Sequence, residues 1–388
     1  MKWLGKARRI RRESRHWDDP QRNSSSLGCG RCSEFELCGG LHVRSSAFDC
    51  LTYCCGKTDG CVSVCPNNNT FVDRVRELEG FELHNVRRTT HVSFPLLPAS
   101  VPLIYSRGCR RKRFRPAAVG LLLYRLIDRA TGELRFADRS ALCQYFGIDS
   151  ATPIFLTGTA VDKPLERWWS LGAGRRKALA NVRELGIVAA TTPNYSVFSD
   201  VPRWDNFHAM KRIAICWQEM TDAGLQTALH VNARTQSDWR RWTEFVQQRP
   251  EVTAIAYEFA TGAAGATRMA VHIDELRHLA DRTDRPLALV VRGGLSALSA
   301  LRQSYSQVTL LDSTTYMRTV NRIKGSIQQS GSITWKPAPE RPNVNLDELL
   351  EHNYRIVLKA ATPALDSPCT AQRSSVSSPP AYRPSLGH

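Results

Sequence analysis

The fold is predicted most clearly from one segment, residues 286–322, with the sequence PLALVVRGGLSALSALRQSYSQVTLLDSTTYMRTVNR. An apolar run at 287–291 ends in Arg292-Gly293-Gly294, leucines at helical spacing follow, and a second apolar run ends in Asp312. This pattern predicts a strand, helix, strand unit, in which ligands gather at the carboxyl ends of the strands. We therefore expect Arg292, Gly293, Gly294 and Asp312 to share one rim. A tight turn at the glycines and a helix cap at Asp312 are the structural alternative.

The same alternation extends through most of the chain and predicts its fold class. Amphipathic helical stretches separate strand-like segments at 119–127, 153–157, 187–192, 227–231, 252–259, 287–291 and 308–311. Regular alternation of this kind implies a parallel sheet with crossover helices. The number of units predicts an α/β fold closed into a (β/α)8-type barrel, and an open doubly wound sheet is the alternative.

Composition divides the chain into five expected segments. They are a basic mobile arm at 1–28, a Cys-rich metal-binding module at 29–70, a connecting segment with a basic run at 71–117, the β/α barrel domain at 118–361 and a disordered Ser/Pro-rich tail at 362–388. The arm ends in a polar Asn-Ser-Ser-Ser run, and the tail lacks the apolar residues that a packed core needs.

The charge balance indicates a polyanionic partner. The chain has 53 Lys and Arg against 36 Asp and Glu, which gives a formal charge of +17. Such an excess favours nucleic acid, and DNA is the expected form, although a basic protein with its excess in the tails would have the same sum. The sequence contains no secretory signal and no run long enough to cross a bilayer, so we expect a cytoplasmic protein without a membrane partner.

The densest chemical signal is CGRCSEFELCGGLHVRSSAFDCLTYCCGKTDGCVSVCP, residues 29–66. It contains eight of the twelve cysteines: Cys29, Cys32, Cys38, Cys50, Cys54, Cys55, Cys61 and Cys65. In a reducing compartment such crowding indicates thiolate ligation of a metal, because disulfides would not persist there. The Cys29-x2-Cys32 knuckle favours zinc, whereas Cys65 followed by proline also occurs in 4Fe-4S proteins. A disulfide knot is the remaining alternative.

A second basic run follows at 107–115, where six cations fall within nine residues. We expect its side chains to contact the nucleic-acid backbone, because each cation bound to a phosphate releases about one counterion. A solvated loop is the alternative. The expected backbone contacts are Arg110, Arg111, Lys112, Arg113 and Arg115.

Polar residues also follow successive predicted strands. Buried without purpose, each would leave a costly unpaired group, so the set points to an active-site rim, even though any one of them could be a cap or a loop residue. The candidate substrate-binding residues are Asn194, Ser196, His230, Asn232, Glu258, Arg292, Gly293, Gly294 and Ser313, and the candidate acids are Asp162, Asp200 and Asp312.

The segment LLDSTTY at 310–316 resembles the tRNA-guanine transglycosylases and their relatives that insert 7-deazaguanine bases into DNA. In that family a barrel strand ends in a similar Phe-Asp-Ser or Phe-Asp-Cys step, and Arg292-Gly293-Gly294 fits the family's Gly-rich strand end. The family's Asp-Ser-Gly-Gly-Phe-Gln motif and its carboxyl-terminal zinc site are absent. Residues 192–203 also resemble an uncharacterised phage and bacterial family known only as a domain of unknown function.

The resemblance implies base exchange on nucleic acid, with a free 7-deazapurine base as the second substrate. Asp312 would attack C1′, guanine would leave, and the incoming base would displace the carboxylate, with Asp200 or Asp162 as the second acid. A duplex would have to flip the target base out. Two other classes stay open: an iron–sulfur or zinc-dependent enzyme acting on nucleic acid, and a non-catalytic nucleic-acid-binding protein with a structural metal module.

Overall fold

A computed structural model describes residues 69–108, 110–128, 131–198, 203–260, 266–338 and 346–362. The basic arm, the eight cysteines of the predicted metal module and the tail beyond residue 362 lie outside the described residues. Nearly all of the predicted barrel lies within them.

Eight parallel strands form one sheet that curls into a nearly closed barrel, so the prediction of a (β/α)8-type architecture is confirmed. The strands are β1 (Ser100–Pro102), β2 (Val119–Leu122), β3 (Ile154–Thr157), β4 (Ile187–Thr191), β5 (Thr227–His230), β6 (Ala254–Glu258), β7 (Ala288–Arg292) and β8 (Gln307–Asp312). Their order around the sheet is β1-β8-β7-β6-β5-β4-β3-β2. A parallel bridge between Leu103 and Gly120, with a 2.9 Å bond from the Ile104 N–H to the Gly120 carbonyl, links β1 to β2 at the seam.

Strand β1 lies within the segment that the sequence assigned to a connection. It pairs with β8 through Ser100–Leu310, Val101–Leu311 and Pro102–Asp312, so the barrel begins well before residue 118. Three residues ending in proline are too few to show a period of two, which is why the sequence pattern did not reveal this strand.

Helices surround the barrel. They are α1 (Asn69–Leu78), α2 (Leu123–Leu126), α3 (Arg139–Phe146), α4 (Asp162–Ser170), α5 (Gly174–Glu184), α6 (Arg203–Asp222), α7 (Gln236–Gln247), α8 (Ala266–Thr283), α9 (Leu298–Leu301), α10 (Thr314–Val320) and α11 (Leu346–Ala361). A short 3-10 turn, Leu295–Ala297, precedes α9, and an antiparallel hairpin of β9 (Ile323–Ile327) and β10 (Ile333–Pro337) lies between α10 and α11.

Small side chains fill much of the barrel interior. One buried cluster in the interior contains Ala189, Ala228, Ala256 and Ala288 together with larger residues such as Phe155. The strand residues that alternate with these point the other way and belong to the core between the sheet and the helices. At the seam, a Cβ at Gly120 would lie 2.4 Å from Leu103 Cδ2, so only glycine leaves room for that leucine. Because side chains alternate along a strand, this cluster defines which strand-end residues enter the barrel mouth.

Arg110, predicted to contact phosphates, lies in the protein interior instead. Its Nε donates to the Arg107 carbonyl at 2.9 Å, and its terminal nitrogens donate to the carbonyls of Ser106, Phe146 and Gly147. These bonds tie the β1–β2 connection to the end of α3. The geometry gives Arg110 a structural role, because a guanidinium committed to buried carbonyls is not available to a polyanion.

Replacing Arg110 should therefore destabilise the fold rather than weaken nucleic-acid binding alone. We expect Arg110→Met to lower the free energy of unfolding by on the order of 2–4 kcal/mol, since several buried carbonyls lose their donor. The exposed neighbour Arg113 provides the control, because Arg113→Met should change stability by less than about 0.5 kcal/mol. Urea denaturation followed by circular dichroism measures both, and equal stabilities for the two variants would contradict the structural role.

Candidate active site at the barrel mouth

Glu258 and Arg292 form an ion pair at the carboxyl ends of β6 and β7. The two residues are register partners in the sheet, and Arg292 Nη1 lies 3.1 Å from Glu258 Oε2. The other carboxylate oxygen accepts the Ala260 N–H at 3.0 Å. Both residues are in phase with interior alanines, Glu258 with Ala256 on β6, so they point into the mouth. Burial raises the pKa of Glu258, and the Arg292 charge opposes that rise.

Tyr105, just beyond β1, extends this pair. Burial raises the pKa of the Tyr105 hydroxyl, and the nearby positive charge of Arg292 opposes that rise. The charges of Glu258 and Asp312 act on it as well, which places three strand ends around one tyrosine. Tyr105 was missed at the sequence level because β1 was not recognised there.

His230, at the end of β5, is a neutral imidazole with a fixed tautomer. Its Nδ1 lies 2.8 Å from the Thr192 carbonyl oxygen, which can only accept, so Nδ1 carries the proton. Its Nε2 is then an acceptor, and the Thr159 hydroxyl lies 3.3 Å away. Burial lowers the pKa of His230 to about 4, the Thr192 carbonyl opposes that shift, and the Arg292 charge adds to it. Thr159 and the Thr192 carbonyl complete the mouth beside β3 and β4.

The outer rim holds four more of the predicted residues. Asn232 Nδ2 donates to Asn194 Oδ1 at 3.1 Å and to the Tyr195 carbonyl at 2.9 Å, so the two asparagines are together. The Ser196 hydroxyl donates to Asp162 Oδ1 at 3.2 Å, and both residues are exposed. Asp200 lies outside the described residues.

Asp312 is buried at the end of β8, and its carboxylate caps α10. One oxygen accepts the Thr314 N–H at 2.7 Å, and the other accepts the Thr315 N–H at 3.1 Å and the Thr315 hydroxyl. Asp312 is in phase with Leu310 of the helix-side core, whereas Leu311 belongs to the interior cluster, so the carboxylate is directed towards the helix layer. Burial raises its pKa, and the Thr315 and Thr314 hydrogen bonds oppose the rise. Ser313 follows without a side-chain cap bond to the helix.

Gly293 and Gly294 are required by conformation and space. Both have positive φ, +75° and +69°, where residues with a Cβ are strained. A Cβ on Gly293 would lie 2.9 Å from the Ala260 nitrogen, and one on Gly294 would lie 2.8 Å from the Phe259 ring. The glycines therefore bring the end of β7 against the segment that follows β6, beside the Glu258–Arg292 pair.

The basic run lies along the start of α11. The backbone N–H groups of Arg111 and Lys112 donate to the Asp347 carboxylate at 2.9–3.2 Å, which leaves their side chains exposed beside that of Arg113. Arg115 pairs with Asp149 at 2.9 Å. Three cations of the run thus remain on the surface without the internal bonds that hold Arg110.

Metal ligation cannot be assigned within the described ranges. No group of three or more His, Cys, Asp or Glu side chains there is arranged to hold a metal ion. Cys143 and Cys216 are buried free thiols, and burial raises the pKa of Cys216 to about 12, which disfavours its thiolate. The eight clustered cysteines lie outside these ranges.

The lowered pKa of His230 makes a prediction about acid stability. Between about pH 4 and pH 6.5, His230 is protonated in the unfolded chain but neutral in the folded chain. The free energy of unfolding therefore has its full value above pH 6.5 and decreases as the pH falls. Between about pH 7 and pH 5, this residue should account for a loss of about 2 kcal/mol. In urea titrations at both values, His230→Gln should show a smaller loss by that amount. An unchanged pH dependence would mean that the imidazole is not held neutral.

Comparisons with known proteins add no family to this geometry. No family model matches the sequence, and no curated protein is significantly similar to it. Among the helices in the described part of the chain, none combines the length and apolar character needed to span a bilayer. The site must therefore be interpreted from its own side chains.

Proposed function

We propose that the carboxyl-end mouth of the barrel is the active centre of an enzyme that exchanges a guanine for a 7-deazaguanine base in nucleic acid, expected to be DNA. We further propose that Glu258 is the nucleophilic carboxylate. The observation that carries this proposal is the buried Glu258–Arg292 pair, which points into the mouth of the barrel. The base-exchange reaction itself comes from the resemblance at 310–316.

Burial of this ion pair supports a functional role. The Glu258 side chain is only 6% exposed and that of Arg292 is 24% exposed, and burying a carboxylate costs several kcal/mol that the attraction of its partner must offset. Charged groups with perturbed pKa values cluster at functional sites, and in (β/α)8 enzymes those sites lie at the carboxyl ends of the strands.

Base exchange requires a carboxylate that can form a bond to the sugar. In the proposed reaction, a Glu258 oxygen bonds to C1′ while the bond from C1′ to the guanine nitrogen breaks. The electron pair of that bond leaves on guanine, which takes a proton from a second acid. The incoming 7-deazapurine then bonds to C1′, the bond from C1′ to Glu258 breaks with its electron pair returning to the carboxylate, and the proton of the incoming base passes to the second acid, which the previous step left as a carboxylate. Arg292 favours the ionised form of Glu258, against the effect of burial, and orients its carboxylate. Asp162 on the rim and Asp200 remain the candidates for the second acid.

Asp312 fits the nucleophile's role less well than Glu258 does. Its carboxylate is turned towards α10 and accepts three hydrogen bonds from Thr314 and Thr315. A nucleophile needs a lone pair free to reach the sugar, and these bonds would have to break first. We therefore propose that Asp312 fixes the start of α10 and thereby positions Tyr316, whose hydroxyl lies 2.7 Å from Ser106 Oγ, next to Tyr105.

Arg292 also has a buried donor that a bound substrate could pair with. Within the described part of the chain, its buried Nε has no hydrogen-bond partner, while Nη1 is paired with Glu258. A buried donor left unpaired costs about 1–3 kcal/mol, which a substrate oxygen would recover. The neutral His230 beside it contributes no second positive charge. These features fit a carbonyl or hydroxyl oxygen of a nucleoside.

Two isosteric variants separate the candidate nucleophiles. With DNA and a free 7-deazaguanine base as substrates, mass analysis of the nucleosides should show that Glu258→Gln loses exchange by about 10⁴-fold or more, because an amide cannot form the sugar ester. Asp312→Asn keeps a cap on α10 and should retain exchange within about tenfold. Thermal denaturation and DNA binding check that both variants are folded. Loss confined to Asp312→Asn would restore the assignment that the resemblance implies.

The cysteine module remains a second part of the proposal. We propose that it binds zinc, with a 4Fe-4S cluster as the alternative, on the chemistry of eight closely spaced thiols. With a cluster, the same mouth would belong to an iron–sulfur enzyme acting on nucleic acid. A visible absorption spectrum of anaerobically purified protein separates the two metals, because only the iron–sulfur centre is coloured.

A further inference from the structure

We infer that the β9–β10 hairpin is a docking surface for the sugar–phosphate backbone of nucleic acid. This inference rests on the proposed function in one respect, since both take nucleic acid as the partner. It adds a site that neither the barrel mouth nor the basic run at 107–115 contains.

The hairpin has two chemically different faces. Strand pairing places Gly325 opposite Trp335 and Ile327 opposite Ile333 on the face that packs against the protein. The other face is exposed and pairs Lys324 with Lys336 and Ser326 with Thr334. Lysine ammonium groups and hydroxyls are the side-chain groups that commonly contact phosphate oxygens.

The directly opposed lysines are the strongest observation. Like charges at opposite positions of an antiparallel pair lie within about 5.5 Å at Cβ and destabilise the ladder. None of the ion pairs among the described residues involves Lys324 or Lys336. A polyanion bound across both ammonium groups would offset this repulsion, because each lysine would then be attracted to a phosphate.

The surrounding segment strengthens the positive field. From residue 313 to residue 338 the chain contains Arg318, Arg322, Lys324 and Lys336 and no acidic residue. The Arg318 guanidinium lies 5.4 Å from the centroid of the Trp335 ring, a residue of the packed face, so this cation adds to the field around the hairpin without joining the lysine pair. A positively charged segment with two lysines on one exposed face of a hairpin favours an extended polyanion as its partner.

The hairpin is a fixed platform, because α11 holds it from beneath. Asn353 is fully buried, accepts the Gly325 N–H at 3.0 Å and donates to the Ile323 carbonyl at 2.8 Å. The His352 Nε2–H donates to the Gly325 carbonyl at 2.8 Å. A Cβ on Gly325 would lie 3.0 Å from the Trp335 ring and 3.2 Å from Ile356, so glycine is what allows this close seat. The lysine pair is therefore presented in one orientation.

Salt-dependent DNA binding tests the inference. We would measure fluorescence anisotropy of a short random-sequence DNA duplex over a range of salt concentrations, with no free base present. The double variant Lys324→Gln/Lys336→Gln should reduce the slope of log K against log salt by about 2, one unit for each phosphate that the protein no longer neutralises. Its melting temperature should equal or exceed that of the parent, because a repulsive pair has been removed.

A matched control removes two cations from the other side of the barrel. Arg176 and Lys177 are exposed on α5, between β3 and β4, and the strand order places β4 four strands from β8. Arg176→Gln/Lys177→Gln should leave the slope unchanged, although Lys177 loses its 2.8 Å pair with Glu133. An equal fall in both double variants would mean that only net charge matters and would overturn the inference.

Two further results would overturn it. The first is an unchanged slope in Lys324→Gln/Lys336→Gln. The second is that this same variant no longer binds a polyglutamate peptide but binds DNA as the parent does, which would make the hairpin a site for acidic proteins. Neither result depends on base exchange. The Glu258→Gln experiment, in turn, does not depend on the hairpin, so failure of this inference and failure of the proposed function are separate observations.

Discussion

The phase of side-chain alternation in the barrel strands is the constraint on which the rest of the structure depends. Interior positions on four strands are alanine, and the same phase brings His230, Glu258 and Arg292 to the mouth at the ends of β5, β6 and β7. A shift of one residue in any of these strands would turn its terminal side chain into the helix layer. The polar centre is thus fixed by the packing of small residues that carry no chemistry themselves.

This constraint explains why the acids that end β6 and β8 have different surroundings. Glu258 and Asp312 are both buried, and burial raises the pKa of each. Glu258 forms an ion pair with Arg292, whose side chain points into the mouth. The Asp312 carboxylate instead accepts hydrogen bonds from the first turn of α10. Sequence position places both on the rim, but only the strand phase separates the carboxylate directed into the mouth from the one that caps a helix.

Much of the fold could be predicted from the sequence, because β2 to β8 are apolar runs separated by amphipathic helices. Strand β1 could not, since Ser100–Pro102 is too short to show a period, and Tyr105 was therefore missing from the predicted site. The Asp312 geometry could not be predicted either, because a strand-terminal acid and a helix cap have the same sequence pattern. The burial of Arg110 is a third feature that the sequence could not predict. Among neighbouring cations, only tertiary packing decides which one is buried against carbonyls and which remain exposed.

We propose that Glu258 forms the bond to the sugar, and a covalent adduct would show this directly. To detect it, the protein is mixed with DNA in the absence of the incoming base and the reaction is stopped by denaturation. The adduct is then digested, and peptide mass analysis locates the modified residue. We expect a nucleotide attached to the peptide that contains Glu258. Attachment to the peptide that contains Asp312, or no covalent adduct under conditions in which the base is exchanged, would contradict it.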